Sequence, residues 1–275
     1  LFVANHRDIV LDSALLQVIL SGNGYSTTEI TFGSNLMINQ FIIDLGKVNR
    51  MFKVIRGGNK RDLLENSHQL SAYIRHTIVN KKTSVWIAQR PGRTKNGNDK
   101  TESSLLKMFN MSSGGNVADS FRELNIVPVI ISYEYEPCCS FKIKEVLETS
   151  LKGTYTKKPD EDLISIITGI TQPKGRIHIV IGKPVNESLH VLENEATLNN
   201  KITRLAKLID FEIYRYFKLW PNNYVAYELL NNSGKFENYY TPDDKKVFLE
   251  YMENEIRGIA GEKSIIEEMF LNIYA

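Results

Sequence analysis

The chain is poor in cysteine: 275 residues carry only Cys138 and Cys139, and the two are adjacent. Sequence neighbours rarely pair, so a disulfide framework is excluded and a reducing compartment is expected. Long apolar runs are missing as well. None approaches the roughly 18 residues that would mark a membrane-spanning helix. No secretory signal is visible, although Leu1 opens within an apolar run, so an upstream segment able to hold a membrane anchor is expected. A dominant charge is also absent. The net charge is +2, which gives no general pull towards nucleic acid. Repeats, low-complexity tracts and a Gly-x-Ser-x-Gly nucleophile elbow are not found, and the last absence counts against a serine hydrolase.

What is present is an ordinary globular composition, 42% hydrophobic and 24% charged, in a chain long enough to bury a real core. Charge is unevenly placed. Residues 47–107 hold 14 Lys and Arg against 4 Asp and Glu, leaving that segment at +10 and the remainder at −8. A local basic field suits an anionic ligand or an anionic membrane surface; a solvated basic face would read the same way.

Short β-prone runs alternate with helical patterns over roughly the first 190 residues. Strands are expected at 1–4, 29–32, 52–55, 84–88, 126–135 and 176–181. Helices are expected at 13–20, 36–45, 62–79 and from 105, and a polar, mobile loop at 153–162. The expected fold is α/β: a mixed, mostly parallel sheet flanked by helices in residues 1–190, followed by a helical C-terminal region in 191–275.

Four blocks carry possible chemistry. Asn5-His6-Arg7-Asp8 follows a buried strand, and Asp12 stands six residues after His6. A neutral imidazole can take a proton from a hydroxyl near pH 7, and a carboxylate behind it fixes the tautomer. The same pattern also describes a solvated turn. His6-Arg7-Asp8 mimics a kinase catalytic loop, but the Asn required five residues after the Asp is Ser13. In the second block Arg56 ends a strand ahead of Gly57-Gly58, a setting for bidentate phosphate binding. The third runs from Trp86 into a loop with Arg90, Gly92, Arg93 and Lys95, a candidate phosphate cradle. The fourth, Val127-Pro128-Val129, reads as core that shapes a site wall.

In this order the blocks resemble those of the glycerolipid acyltransferase superfamily, which includes glycerol-3-phosphate, dihydroxyacetone-phosphate and lysophosphatidate acyltransferases. Asn5, His6 and Asp12 resemble its first block, Arg56 its second, Gly92-Arg93-Thr94 the end of its third, and Val127-Pro128 its fourth. The likeness implies direct transfer of a fatty acyl group, from a coenzyme A or acyl-carrier-protein thioester to a hydroxyl of a glycerol-phosphate-type acceptor. His6 would be the general base and Asp12 its partner. Arg56, Arg93 and Lys95 would hold the phosphate, with Asp8, Arg90, Gly92 and Pro128 as secondary candidates. No bound cofactor, metal or nucleic acid is implied. Peripheral contact with the cytoplasmic face of a membrane is. Two departures stand out. Five residues, not four, separate His6 from Asp12, so Asp8 is the alternative partner. The usual Glu of the third block is replaced by Arg90 or Pro91, which opens the possibility of a different acceptor or of a lipid-binding protein without the chemistry.

Overall fold

The computed structural model describes all residues except 38, 39 and 56, and leaves out the side chain of residue 41. Six strands form one sheet: β1 (Phe2–Ala4), β2 (Glu29–Gly33), β3 (Met51–Val54), β4 (Val85–Ala88), β5 (Val127–Tyr133) and β6 (Ile177–Ile181). Their order is β3-β2-β4-β1-β5-β6. The first five run parallel and β6 pairs antiparallel on the β5 edge. The fold is α/β, with a mostly parallel sheet between helical layers.

The pattern of side chains explains the layering. β5 is buried from Pro128 to Tyr133, as expected of a strand covered on both faces. Pro128 has no N–H to give, and it sits at the second position of the strand, where its carbonyl accepts from Gly182 at 2.8 Å. On one face, Ala4, Ile30, Trp86, Val129 and Ile131 pack on Leu16 and Leu20 of α1 (Leu11–Gly22). On the other face, Val3, Val85, Ile87 and Ile130 meet four helices. These are α3 (Lys60–Val79), α4 (Ser103–Asn110), α5 (Val117–Leu124) and α8 (Leu198–Tyr216). A third apolar cluster joins α6 (Cys139–Lys152) to α9 (Pro221–Asn231), α10 (Pro242–Ile256) and α11 (Lys263–Tyr274). Helix α8 thus lies on the sheet, while α9 to α11 gather on α6.

Several expectations shift. The helix expected at 36–45 is divided: a 3-10 turn covers Ser34–Leu36, residues 38 and 39 lie outside the description, and α2 runs from Gln40 to Val48. The polar 153–162 segment is irregular only as far as Asp160, because α7 (Glu161–Thr171) begins within it. Four helices begin where a side chain satisfies the free N–H groups: Asn59, Asn116, Thr197 and Thr241 each accept from the first turn that follows.

The central core sets stability. Phe109, 1% exposed between α3 and the sheet, is expected to cost about 3–5 kcal/mol when replaced by Ala. Val18→Ala, at an exposed position, should change stability by less than about 0.5 kcal/mol. Urea denaturation of the two variants checks the contrast.

Candidate active site

The carboxyl ends of β1, β2 and β4 converge on one crevice, the usual place for a site on such a sheet. At the end of β1 the Asn5 side chain continues the ladder. Its Oδ1 accepts from Ile131 N–H at 2.8 Å and its Nδ2 donates to Ile131 O at 3.0 Å. A short amide mimics a peptide unit, and this releases the backbone to turn at His6. The β4 side is tied in the same way. Gln89 N–H donates to Ala4 O and Thr94 N–H to His6 O, both at 2.8 Å.

His6 is partly buried, and its Nδ1 lies 3.0 Å from Asp12 Oδ2. That oxygen also accepts the backbone N–H groups of Arg7, at 2.7 Å, and Asp8, at 2.9 Å. The other oxygen accepts from Tyr133 OH at 3.0 Å. Burial, then the charges of Asp12 and Asp8, push the Tyr133 phenol well above its ordinary range, which keeps it a donor. A carboxylate at Nδ1 holds the ring proton there and leaves the Nε2 lone pair free. The extra residue between His6 and Asp12 is absorbed by the turn. Asp8 does not touch His6; its Oδ1 takes the N–H groups of Val10 (2.9 Å) and Leu11 (2.8 Å) at the entrance to α1.

Beside His6 lies a cavity of about 200 Å³. Gly92, Arg93 and Lys95 line it with Trp86 and Ala88 of β4. Gly92 has φ +81°, a left-handed turn residue that lets the loop fold back over the cavity. Arg93 Nη2 lies 3.4 Å from Ser165 Oγ, while its Nη1 is buried with no hydrogen-bond partner. Lys95 is paired with Glu145 of α6 at 2.5 Å. Lys157 pairs with Asp162, which also accepts from Asn35 at 2.9 Å. Arg93, Lys95 and Lys157 thus bring three cations, and Glu145 and Asp162 two carboxylates, to one small space.

Other candidates are not brought in. Arg56 lies outside the described residues. Arg90 does not line the cavity, and neither does Asp8. Pro128 pairs in register with Val3, three residues before His6, so it belongs to the sheet below the site and not to its wall. The residues that sequence reasoning missed are those holding the turn from behind. Arg7 is buried and donates to Asp99 Oδ2 from Nε at 3.0 Å and Nη2 at 2.7 Å. Asp99 also accepts from Asn5 Nδ2 at 3.0 Å and Thr94 Oγ1 at 2.7 Å. Burial works against the Asp99 charge, but Arg7 and the hydrogen bonds from Thr94 and Asn5 outweigh it and hold the carboxyl below its ordinary value. The only sequence signal was a polar loop with an Asp at its end.

The chain matches no protein-family model, and no curated protein matches it.

A carboxyl with a lowered folded pKa stabilises fully above its unfolded value and loses that contribution as pH falls through the folded one. Wild-type stability is therefore expected to fall below about pH 4 more steeply than that of Asp99→Asn. At neutral pH the substitution should cost about 3 kcal/mol, because it removes the nearer carboxylate from a buried guanidinium and leaves it only Glu136, 3.5 Å away. Urea midpoints of both proteins from acid to neutral pH check the slope and the offset.

Proposed function

We propose that the chain is an O-acyltransferase. It moves a fatty acyl group from a coenzyme A or acyl-carrier-protein thioester to a hydroxyl of a phosphate-bearing, glycerol-type lipid precursor. The observation that carries this reading is the His6–Asp12 pair beside a cavity that Arg93, Lys95 and Lys157 also line. The pair supplies a base; the cations lining the cavity supply a seat for an anion.

The acceptor hydroxyl donates to His6 Nε2 and its oxygen attacks the thioester carbonyl. Asp12 orients the ring and stabilises the imidazolium that forms. Collapse breaks the C–S bond, and the imidazolium returns its proton to the departing sulfur. Arg93 fixes the acceptor phosphate and so converts binding energy into orientation. Lys95 contributes only by exchanging Glu145 for the phosphate. The acid missing from the third block has a counterpart here: Glu145 and Asp162 bring carboxylates to the cavity from α6 and α7. A lipid-binding protein without the chemistry is the weaker reading, since four donors converge on Asp12 and His6 is held ready.

The basic 47–107 segment supports peripheral contact with an anionic, cytoplasm-facing membrane surface. Among the described residues no helix is long and apolar enough to cross a membrane.

The purified protein, given a labelled acyl-thioester and a panel of phosphorylated acceptors, should form acyl-lipid. His6→Ala should reduce turnover by about a thousand-fold or more, and Asp12→Asn by a comparable factor. Arg93→Ala should mainly raise the acceptor KM, by about ten-fold for a lost charged hydrogen bond. Free fatty acid as the sole product would replace transfer by hydrolysis. Full activity in His6→Ala would refute the mechanism.

A further inference from the structure

Helix α7 (Glu161–Thr171) carries its side chains the wrong way round for a surface helix. It buries only Ser165 and Gly169. Gly169 lies against the Asp8 carboxylate, with no room for a Cβ. The Ser165 hydroxyl lies 3.4 Å from Arg93 Nη2, and its carbonyl accepts from the Cys138 thiol at 3.2 Å. At about 100° per residue these two stand on one side of the helix, together with Asp162, which lines the cavity beside His6. The opposite side holds Ile164, Ile167 and Ile170, exposed to 49%, 52% and 53%, with Leu163 and Ile166 half-buried at its edges. A solvated helix face is ordinarily charged or polar. Here it is aliphatic, and no Asp or Glu occurs from residue 163 to residue 186.

The surroundings favour an anionic lipid surface over a protein partner. Ile164 shares a hollow of about 550 Å³ with Leu151, Lys144, Lys152 and Lys158, and Leu151 is 74% exposed. The carboxylates lining the hollow are taken. Glu148 pairs with Lys152 at 3.0 Å, and Glu161 accepts from the Tyr155 hydroxyl at 2.5 Å and the Lys158 N–H at 3.2 Å. Lys144, which stands over the Phe141 ring, and Lys158 are both exposed, and among the described residues neither ammonium has a carboxylate partner. Aliphatic side chains beside free lysines match the boundary between lipid headgroups and acyl chains, where a lysine stem lies along apolar surface and its ammonium reaches a phosphate. Protein-binding faces draw instead on aromatic residues and arginine, and α7 contains neither.

We propose that the outer face of α7, with Leu151, Lys144 and Lys158, is the surface by which this protein docks on an anionic membrane. The choice of a lipid surface rests on the acyl-transfer reading, in which the product returns to a membrane. The face lies outside the basic 47–107 segment, so docking depends on inserted aliphatic side chains as well as on attraction between charges. A helix is about 10 Å across, so lipid on the outer side of α7 lies about that far from the cavity that Asp162 lines on its inner side. A fatty acyl chain bridges such a span.

The test is sedimentation of the full chain with vesicles of phosphatidylcholine and about one third phosphatidylglycerol. Wild type should bind. Ile164→Ser, Ile167→Ser and Ile170→Ser together should weaken binding about a hundred-fold, while melting stays near the wild-type temperature because all three side chains are exposed. The same three positions changed to Leu should bind within about three-fold of wild type. Lys144→Gln with Lys158→Gln should cost about ten-fold and reduce the preference for anionic vesicles. In a separate Ile167→Trp protein, vesicles with brominated acyl chains should quench the new fluorescence. A serine variant that binds within about three-fold of wild type, or a tryptophan at 167 that bound vesicles do not quench, overturns the proposal. So does a wild-type dimer that ignores vesicles and that the serine variant turns into a monomer, since a second copy then covers the face. Acyl transfer is scored apart, with a water-soluble short-chain thioester and a soluble phosphorylated acceptor, which the serine variant should turn over at the wild-type rate. A protein that docks through α7 and transfers no acyl group supports the docking face and refutes the acyl-transfer reading. One that transfers acyl groups and binds vesicles without α7 does the reverse.

Discussion

The buried pair of Arg7 and Asp99 is the contact on which the site depends. The residues are 92 apart in sequence, and Arg7 reaches the carboxylate with two nitrogens. Asp99 gathers Asn5 and Thr94 onto the same group, so the turn after β1 and the loop after β4 are pinned to one carboxylate. The pinning extends outward. Lys142 of α6 donates to the Arg7 carbonyl at 2.8 Å and pairs with Glu136. Phe217, beyond α8, lies over the guanidinium at 5.3 Å. Apolar residues of the same volume would stabilise a protein as well or better. What such residues would lack is direction, and direction is what brings Thr94 N–H to the His6 carbonyl and leaves the imidazole facing the cavity.

Charge is distributed differently in space than along the chain. The segment 47–107 is strongly basic, yet several of its cations are answered by carboxylates from elsewhere in the chain. Arg75 pairs with Glu123, Lys81 with Glu29 and Lys95 with Glu145, each carboxylate lying outside the segment. The acidic remainder of the sequence is therefore partly folded onto the basic part. At the cavity the result is near balance, and an anion entering it competes with Glu145 and Asp162 for lysine. Arg93 forms no salt bridge, whereas Lys95 is held by Glu145, so of these two cations Arg93 is the less committed. The physical reason is commitment and not charge, since lysine and arginine carry the same unit.

The strands were legible because β-prone runs of buried side chains alternate with turn residues, and all six lie where the sequence places them within a residue or two. The helices were less so. α3 has a long periodic pattern and a capping Asn59, and it is found as expected. α5, α6 and α7 gave no such signal. α6 begins at Cys138 in a left-handed conformation with no side-chain cap, and α7 begins at Asp160 in the same state. Neither start shows the residue that usually marks one. At the site, His6 and Asp12 were visible as a local pattern, and the spacing departure was harmless because Asp8 closes the longer turn. Arg7, Asp99, Tyr133 and Glu145 were not visible. Each acts through a partner far away in sequence, and no local rule reports such a contact. Pro128 failed for the opposite reason: its motif was clear, but strand register sets it below the site.

Satisfaction of polar groups divides the site into two sides. Behind His6 the main anchors are answered: Asp12 receives four donors, Asn5 pairs like a peptide, and Asp99 accepts from three residues. Two residues that line the cavity, Trp86 and Arg93, each carry a buried nitrogen without a partner, Nε1 and Nη1. An unmatched buried group is not a sign of function by itself. Asp8 Oδ2 is also unmatched, and it lies against Gly169, where even a methyl group would fall 2.3 Å from that oxygen. There the cause is close packing, and no ligand has room. The difference at Trp86 and Arg93 is that both residues line the cavity beside His6, whose ring a carboxylate holds. Natural folds tolerate such local costs where another molecule completes the bonding.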